Sequence, residues 1–294
     1  MSQFVQFVYT GLVIGAVMAT MGMGLALVWG GLRMLNMAHG ALIMVGAYVA
    51  HYLTAAAGLP VLAALAVTVV AVSAVGALMY PAIVRPLIGR PGWDVNVIIA
   101  TVALSLALTQ LMQLAFGPKS KSLPGIVSGG FTGPADVYIA YQLLLVGAVA
   151  VASLGFLGAF LGRSRHGVAL RAVAQNLDGA RLMGLSIGRV YTMILALSAG
   201  LAALSGVLLV ATGTLFITPT MGAVPMLQSL MIVVLGGLGS IKGTVAAALV
   251  AGLTVSGAQT YVSSEWSLPV LFLVVVLLLL VRPSGFFGRQ ERLA

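Results

Sequence analysis

Three polar side chains follow the first long apolar stretch of the sequence at regular spacing. Arg33, Asn36 and His39 are three residues apart, so on a helix they would lie along one side. Polar groups this close to a membrane interior suit the lining or the gate of a path for a polar solute. In a purely structural alternative, the Arg33 side chain extends to the membrane surface, and Asn36 and His39 form hydrogen bonds with backbone groups that a helix break leaves unpaired.

Carboxylates can all be placed outside the apolar stretches. The acidic residues are Asp94, Asp136, Asp178, Glu265 and Glu291. An ionised carboxylate at the centre of a membrane helix costs about 2.5–3.5 kcal/mol, so it is kept only where a proton relay or a cation site needs it. The distribution argues against a proton- or sodium-coupled carrier and against an intramembrane aspartyl protease. It favours a transporter whose energy comes from elsewhere.

Other kinds of chemistry lack the residues that they need. The sequence has no cysteine, and His39, His51 and His166 are far apart with no carboxylate to complete a site, so we expect no bound metal. No G-x-S-x-G elbow supports a serine nucleophile. The stretch GGLGSIKGT fails the phosphate-loop pattern because isoleucine, not glycine, precedes Lys242. We therefore expect a chain that is not an enzyme and binds no cofactor itself.

The longest polar segment runs from Arg163 to Arg189 and holds five of the 14 Lys and Arg residues. Within it, Leu170, Val173 and Leu177 recur at helical spacing, which predicts a short amphipathic helix. Gly184 would end this helix. A basic helix between two membrane spans either rests on the lipid headgroups or docks into a partner protein.

The rest of the chain is apolar enough for the bilayer to be its solvent. Of the 294 residues, 61% are hydrophobic and 6% are charged, and the mean hydropathy is +1.16. The apolar stretches that could cross a membrane are approximately residues 5–30, 39–57, 61–84, 95–116, 139–161, 190–211, 224–235, 244–259 and 267–281. The first is long and the seventh is short for a full crossing. We predict an all-α polytopic membrane protein, a single transmembrane domain over residues 1–294, with about eight to ten helices, some of them discontinuous.

The basic residues of the loops predict the orientation. If residues 163–189 face the cytoplasm, alternation puts most of the basic side chains on that side, as the positive-inside rule requires. These are Arg85, Arg90, Arg163, Arg165, Arg171, Arg181, Arg189, Lys242, Arg282, Arg289 and Arg292. Lys119 and Lys121 would lie outside, and Arg33 is unassigned. The net charge of +9 then reflects orientation rather than nucleic-acid binding, and we expect the C-terminus in the cytoplasm.

Three stretches of the sequence resemble one family of membrane proteins. They are LVWGGLRMLNMAHGALIMVGAYVA (27–50), RAVAQNLDGARLMGLSIGR (171–189) and VVLGGLGSIKGTVAAALVAGL (233–253). The family is that of the permease subunits of bacterial ABC importers, in particular the LivH-type permeases of branched-chain amino acid uptake. The second stretch is similar to the family's cytoplasmic coupling loop. The three occur in the family's order and together span most of the chain.

The resemblance implies a translocation subunit of the bacterial inner membrane that works with several partners. These would be a second, similar permease, two cytoplasmic ATPases that bind ATP and magnesium, and a periplasmic substrate-binding protein that could touch the outer loop at residues 117–138. The coupling loop would seat in a groove of one ATPase and convert its closure into helix movement. The resemblance assigns to this loop Arg171, Ala174, Gln175, Asp178, Ala180, Arg181 and Gly184.

The substrate stays open at this point. Permeases that resemble this chain handle leucine, isoleucine and valine, and their relatives carry urea, short amides, other amino acids or aromatic acids. Nothing in Arg33, Asn36 or His39 selects among these solutes. An alternative of another class is a uniporter or channel that acts alone. Such a protein would have no need for a docking helix in the cytoplasm.

Overall fold

The structure is a computed structural model that describes residues 2–132 and 138–288. Four residues that the sequence analysis used lie outside the described residues: Asp136 and Glu291, placed outside the apolar stretches, and Arg289 and Arg292, assigned to the cytoplasmic side. The helices are α1 Ser2–Leu32, α2 His39–Ala55, α3 Val61–Met79, α4 Arg85–Leu87, α5 Trp93–Phe116, α6 Tyr141–Arg163, α7 Arg165–Gln175, α8 Leu177–Leu182, α9 Ile187–Ala211, α10 Ala223–Gly236, α11 Ile241–Tyr261 and α12 Ser267–Val281. A π-helical turn, Tyr80–Val84, joins α3 to α4. One antiparallel pair of short strands, β1 Gly130–Thr132 and β2 Tyr138–Ala140, precedes α6.

Seven of the helical segments are long and apolar enough to cross a bilayer. They are Gln3–Leu32, Val61–Leu87, Trp93–Phe116, Tyr141–Arg163, Ile187–Ala211, Ile241–Tyr261 and Ser264–Val281. Helices α2 and α10, with 17 and 14 residues, are shorter than the roughly 20 residues that a full crossing needs. The prediction of an all-α polytopic membrane protein is confirmed.

Helices α1, α2 and α9 form the centre of the bundle. Helix α1 packs along α11 and also contacts α6, α9 and α10, while α9 lies against α1, α2 and α3. Small residues permit this packing: a Cβ added at Gly46 would overlap the backbone of Ala203, and one added at Gly206 would overlap the carbonyl of Ile43. Lipid tails are as apolar as leucine, so close contact of this kind rather than hydrophobic exclusion stabilises helix pairs in a membrane.

Residues 33–38, which join α1 to α2, turn back into the bundle. The ring of His39, at the start of α2, contacts the carbonyl oxygen of Met21 in α1. Met21 lies about 16 Å before the end of α1, at 1.5 Å per residue. Helix α10 begins at the same place, because the backbones of Gly40 and Gly222 are in contact. The two short helices therefore start next to each other inside the protein, where neighbouring helices cover the irregular backbone.

Residues 282–288, after α12, fold back onto the end of α10. The backbone N–H groups of Phe286 and Phe287 donate to the carbonyl oxygens of Leu235 (2.8 Å) and Gly236 (3.1 Å). The last carbonyls of a helix have no partner within the helix, so this segment supplies the hydrogen bonds that α10 lacks.

The loop after α5 and the loop after α9 meet on the side of the bundle opposite to the end of α10. Lys121 and Ile217 exchange backbone hydrogen bonds of 3.0 and 2.9 Å. The start of α1 lies near this side, because Ser256, close to the end of α11, donates to the carbonyl of Phe7 at 2.8 Å. The other end of α1 lines a cavity together with α7, so α1 starts on the side opposite to α7, a side that the sequence left open.

Candidate functional site

The end of α1 is set by an unusual backbone conformation at Arg33. Its φ is 52°, and Arg33 is the only residue other than glycine with a positive φ in the described ranges. A left-handed conformation costs a residue with a side chain about 1–2 kcal/mol. The bend ends the helix and leaves the Arg33 side chain exposed.

Asn36 and His39 are buried and hold the segment in place. The Oδ1 of Asn36 accepts from the N–H of Ala38 at 3.1 Å. The Nε2 of His39 lies 2.9 Å from the carbonyl of Met21. Since a carbonyl only accepts, Nε2 carries the proton, and Nδ1 has no hydrogen-bond partner within the described residues. The space for the ring depends on Gly24, where an added Cβ would come within 2.7 Å of the imidazole.

The structure separates the three residues that the sequence grouped. Arg33, Asn36 and His39 do not share a helix face as expected, because only His39 belongs to a helix. Arg33 lines a cavity, whereas Asn36 and His39 pack inside the bundle and are not among its lining residues.

A cavity of about 900 Å³ lies between the end of α1, α7 and the turn that follows α10. Its lining includes Arg33, Arg171, Ala174 and Gln175. A second cavity of about 350 Å³ adjoins it and shares Gly30, Gly31, Arg33, Ala174 and Gln175. Arg181 lines the second cavity. Arg33, unassigned in the sequence, therefore lies on the same side of the bundle as the basic segment 163–189.

The polar segment forms two helices, where the sequence predicted one. Asn176 has an extended backbone, with φ −152° and ψ 104°, and its side chain accepts from the N–H of Gly179 at 2.9 Å. It therefore ends α7 and caps α8, as asparagine often does. Ser164 caps α7 in the same way by accepting from Gly167 at 2.8 Å. Residues 164–186 are named the α7–α8 segment below.

The prediction that Gly184 ends this segment's helix is confirmed. Gly184 has a φ of +79°. Its N–H donates to the carbonyl of Arg181 at 3.0 Å, and the N–H of Leu185 donates to that of Ala180 at 3.1 Å. This pair of bonds is the Schellman arrangement, which favours glycine at the left-handed position.

Helix α7 is held firmly against α6. Leu170 and Val173 are buried, and a Cβ added at Gly167 would overlap the backbone of α6. Arg171 donates from Nη2 to the carbonyl oxygen of Gly162 at 3.3 Å, at the end of α6. Helix α7 is therefore joined to the end of α6 both by packing and by a hydrogen bond.

Helix α8 presents an apolar pair to the surroundings. Ala180 is buried, and Asp178 and Arg181 form an exposed ion pair at 3.4 Å that contributes little to stability. Leu182 and Met183 are 90% and 84% exposed, and they are called the apolar tip below. Sequence reasoning assigned no role to them. Two adjacent apolar residues before a helix-ending glycine, in an otherwise polar segment, were the available signal.

The described residues contain no group of three or more His, Cys, Asp or Glu side chains that could hold a metal ion. What they do contain is a helical bundle that spans the membrane, two short helices that start inside it, and an open cavity beside a polar segment. These features are the ones that a membrane permease needs.

The comparisons with known proteins identify the family. Residues 7–281 match the family described as branched-chain amino acid transport system / permease component. The chain is 30% identical to the high-affinity branched-chain amino acid transport system permease protein BraD of Pseudomonas aeruginosa, over 98% of this chain and 97% of that protein. It is also 30% identical to LivH of Escherichia coli K12, over 98% of this chain and 96% of LivH. The chain belongs to this permease family, and the resemblance found in the sequence is confirmed.

A solved structure supports the fold. The chain resembles PsaBC from Streptococcus pneumoniae in complex with Fab, with a TM-score of 0.51 and 14% sequence identity. The similarity covers 100% of this chain and 94% of the other.

Proposed function

We propose that this chain is the permease subunit of an ATP-driven importer that carries branched-chain amino acids into the cytoplasm. The observation that carries the proposal is the connection between the α7–α8 segment and the cavity: Arg171, Ala174 and Gln175 of α7 line the cavity together with Arg33. A force applied to the α7–α8 segment would therefore change the cavity wall directly. The names of BraD and LivH support branched-chain amino acids as the substrate class.

The cavity suits a solute with a carboxylate and an aliphatic side chain. Arg33 and Arg171 supply two guanidinium groups, and much of the remaining wall is apolar, including Leu27, Ile194 and Leu197. Guanidinium groups bind carboxylates well. A volume of about 900 Å³ is much larger than leucine, so the cavity would select its solute weakly. Selectivity would then depend mainly on a binding protein that delivers the substrate.

ATP and magnesium would be bound by two partner ATPases on the cytoplasmic side. The exposed apolar tip supports this arrangement, because an apolar pair that leaves water gains free energy when a protein groove covers it. The coupling role proposed for Asp178, Ala180, Arg181 and Gly184 is to hold the tip in position. Ala180 anchors α8 to the bundle, and Gly184 returns the chain to α9.

The remaining parts of the proposal are the assembly and its orientation. A second permease would complete the translocation path, and a periplasmic binding protein would contact the side on which residues 117–132 lie. The chain would reside in the bacterial inner membrane with its C-terminus in the cytoplasm. The basic residues on the α7–α8 side, now including Arg33, support this orientation.

Reconstituted transport tests the proposed function. The chain is placed in proteoliposomes with the other permease, the ATPases and the binding protein of its transport system, and entry of radiolabelled leucine is measured. We expect accumulation that requires ATP hydrolysis and exceeds the entry of labelled urea. Leucine entry at the same rate without the ATPases would instead identify a uniporter or channel.

A further inference from the structure

The smaller of the two cavities has walls that the larger one lacks. Both are lined by the end of α1 and by part of α7, but only the smaller one is also lined by Trp93 at the start of α5, Arg181 of α8 and Tyr191 of α9. Its volume of about 350 Å³ is at the lower end of the range of small-molecule sites, roughly 300–1,000 Å³. It is called the side cavity below, and the cavity of about 900 Å³ is called the main cavity. The proposed transport path does not use the walls that belong to the side cavity alone.

The side cavity brings two guanidinium groups together, those of Arg33 and Arg181. In the part of the chain that the structure describes, the one ion pair joins Arg181 to Asp178 at 3.4 Å, and both of these side chains are largely exposed. Such a pair is weak, so Arg181 can exchange it for another anion. Arg33 has no carboxylate partner among the described residues. Two positive charges in one small cavity repel each other, and an anion between them is attracted by both.

The rest of the wall suits a ligand with an apolar body and an ammonium group. Trp93 and Tyr191 supply aromatic surface, and the Tyr191 ring is packed edge-on against Tyr80 with the ring centroids 5.9 Å apart. Aliphatic side chains complete the apolar part of the wall, namely Leu32, Ile88 and Leu177. The Gln175 amide can accept a hydrogen bond from an ammonium group, and aromatic faces attract one as well. Together with the two guanidinium groups, these side chains fit a small α-amino acid with an apolar side chain.

We propose that the side cavity binds the imported amino acid from the cytoplasm and that its occupancy slows further uptake. This inference rests on the proposed function, which supplies both the ligand and the orientation. Arg33 gives the first physical reason, because it lines both cavities. A guanidinium that forms paired hydrogen bonds with a carboxylate in the side cavity is withdrawn from a carboxylate in the main cavity. The accumulated product would therefore weaken the binding of the next solute molecule.

Arg181 gives the second reason, because it belongs to the α7–α8 segment. A carboxylate held by Arg181 and Arg33 joins this segment to the start of the connection between α1 and α2. A ligand stabilises the arrangement that binds it best, so the occupied side cavity favours the arrangement seen in this structure. The proposed transport cycle requires the α7–α8 segment to move relative to the bundle. The bound amino acid therefore opposes the movement that drives its own import.

Uptake into preloaded proteoliposomes tests the proposal in the assembled transporter. Vesicles with the ATPases facing the lumen contain ATP and either no addition, leucine, or leucinamide, which lacks the carboxylate. The binding protein and radiolabelled leucine are added outside, and the initial rate of entry is measured. We expect luminal leucine in the millimolar range, as suits so small a ligand, to reduce this rate about fivefold. Leucinamide should leave the rate close to that of vesicles without an addition.

A pair of tryptophan variants separates the side cavity from the main cavity. Trp93 lines only the side cavity, and Trp29 lines only the main cavity. Trp93→Ala should raise the leucine concentration that halves uptake by about tenfold, while uptake into vesicles without luminal leucine stays within about twofold of the unaltered transporter. Trp93→Phe keeps an aromatic wall and should retain most of the inhibition. Trp29→Ala should leave the inhibitory concentration unchanged, whatever its effect on the rate of uptake.

Ile88→Ala is a second variant in case Trp93→Ala fails to assemble. Ile88 also lines only the side cavity, and its side chain is partly exposed, so the substitution disturbs the fold little. It should raise the inhibitory concentration about two- to threefold.

Three results would overturn the proposal. These are the absence of inhibition by luminal leucine, equal inhibition by leucinamide, and an inhibitory concentration that Trp93→Ala and Ile88→Ala leave unchanged. The last result would locate the inhibition in the main cavity. If the unaltered transporter shows no ATP-driven uptake into vesicles without luminal leucine, it is the proposed function that is refuted.

Discussion

Arg33 combines a strained backbone with an exposed charge beside the cavity. Glycine would adopt its φ of 52° without the cost of about 1–2 kcal/mol that a side chain adds. Strain of this kind persists where the surrounding structure holds the residue in place, and it is often found at functional sites. The buried contacts of Asn36 and His39 supply that restraint here. The backbone of Arg33 is thereby held beside the cavity that its side chain lines.

Replacing Arg171 by glutamate is the sharpest test at the scale of one residue. The change removes the donor to the Gly162 carbonyl and places a negative charge in the cavity wall. We expect ATP hydrolysis by the assembled transporter to continue while leucine uptake falls about tenfold or more, because the new carboxylate would repel the substrate carboxylate in the cavity and like charges brought together cost several kcal/mol. Both rates are measured in the same proteoliposomes.

Arg90 provides the matched control for this substitution. It is an exposed arginine that belongs to neither cavity lining. Arg90→Glu introduces the same charge change and should leave both rates close to those of the unaltered protein. Normal uptake in Arg171→Glu, or equal losses in the two variants, would remove Arg171 from the coupling path.

The sequence identified residue types better than their geometry. The polar cluster at 33–39 was visible because few polar groups occur near apolar stretches. A helix break was foreseen there only as the structural alternative, and its position at Arg33 was not foreseen, because that residue is neither glycine nor proline. Leu182 and Met183 were overlooked although they interrupt a polar segment, because apolar residues are common in this chain and their exposure is known only from the structure.

At the scale of elements, hydropathy located the helices and hydrogen bonds decided their ends. The apolar stretches all correspond to helices because lipid leaves few alternatives to a helix. The polar segment was harder to predict. The spacing of Leu170, Val173 and Leu177 continues across Asn176, so periodicity gave no sign of the break there. The side chain of Asn176 causes the break, because it accepts a hydrogen bond from the backbone N–H of Gly179 and so competes with the bonds of a continuous helix.

The fold-back of residues 282–288 onto α10 can be tested at Gly285. Gly285 has a φ of +72°, and a Cβ there would lie 2.6 Å from the carbonyl oxygen of Leu235. Gly285→Ala therefore adds a clash to the usual cost of a left-handed alanine, about 1–2 kcal/mol. We expect a clear fall in the melting temperature of the purified protein in detergent, followed by intrinsic fluorescence.

Gly213 is a control position, where alanine would bring the cost of a left-handed backbone without a steric clash. Its φ is +75°, and nothing lies within 4 Å of an added Cβ. Gly213→Ala should lower the melting temperature less than Gly285→Ala does. Equal shifts would mean that the contact between the tail and α10 adds nothing to stability.

At the scale of the whole molecule, the distribution of charge predicts which side faces the cytoplasm. The chain has no cysteine, so one introduced thiol reports its own position alone. Met183→Cys lies in the apolar tip, and Val127→Cys lies on the opposite side, with 42% of the original side chain exposed. When the chain is expressed without the ATPases that would cover the tip, a membrane-impermeant maleimide should label Val127→Cys in intact spheroplasts and Met183→Cys only after lysis. The reverse pattern would invert the proposed orientation.

The length of α10 has a consequence for how the protein is made. With 14 residues it is about 21 Å long, less than the roughly 30 Å of hydrocarbon it would have to cross alone. Its start at Gly222 is covered by Gly40 of α2, a residue synthesised long before it. If the translocon releases segments one at a time, a helix as short as α10 would partition poorly into lipid on its own. We therefore expect the earlier helices to lie beside the translocon when α10 emerges, so that insertion and tertiary folding coincide.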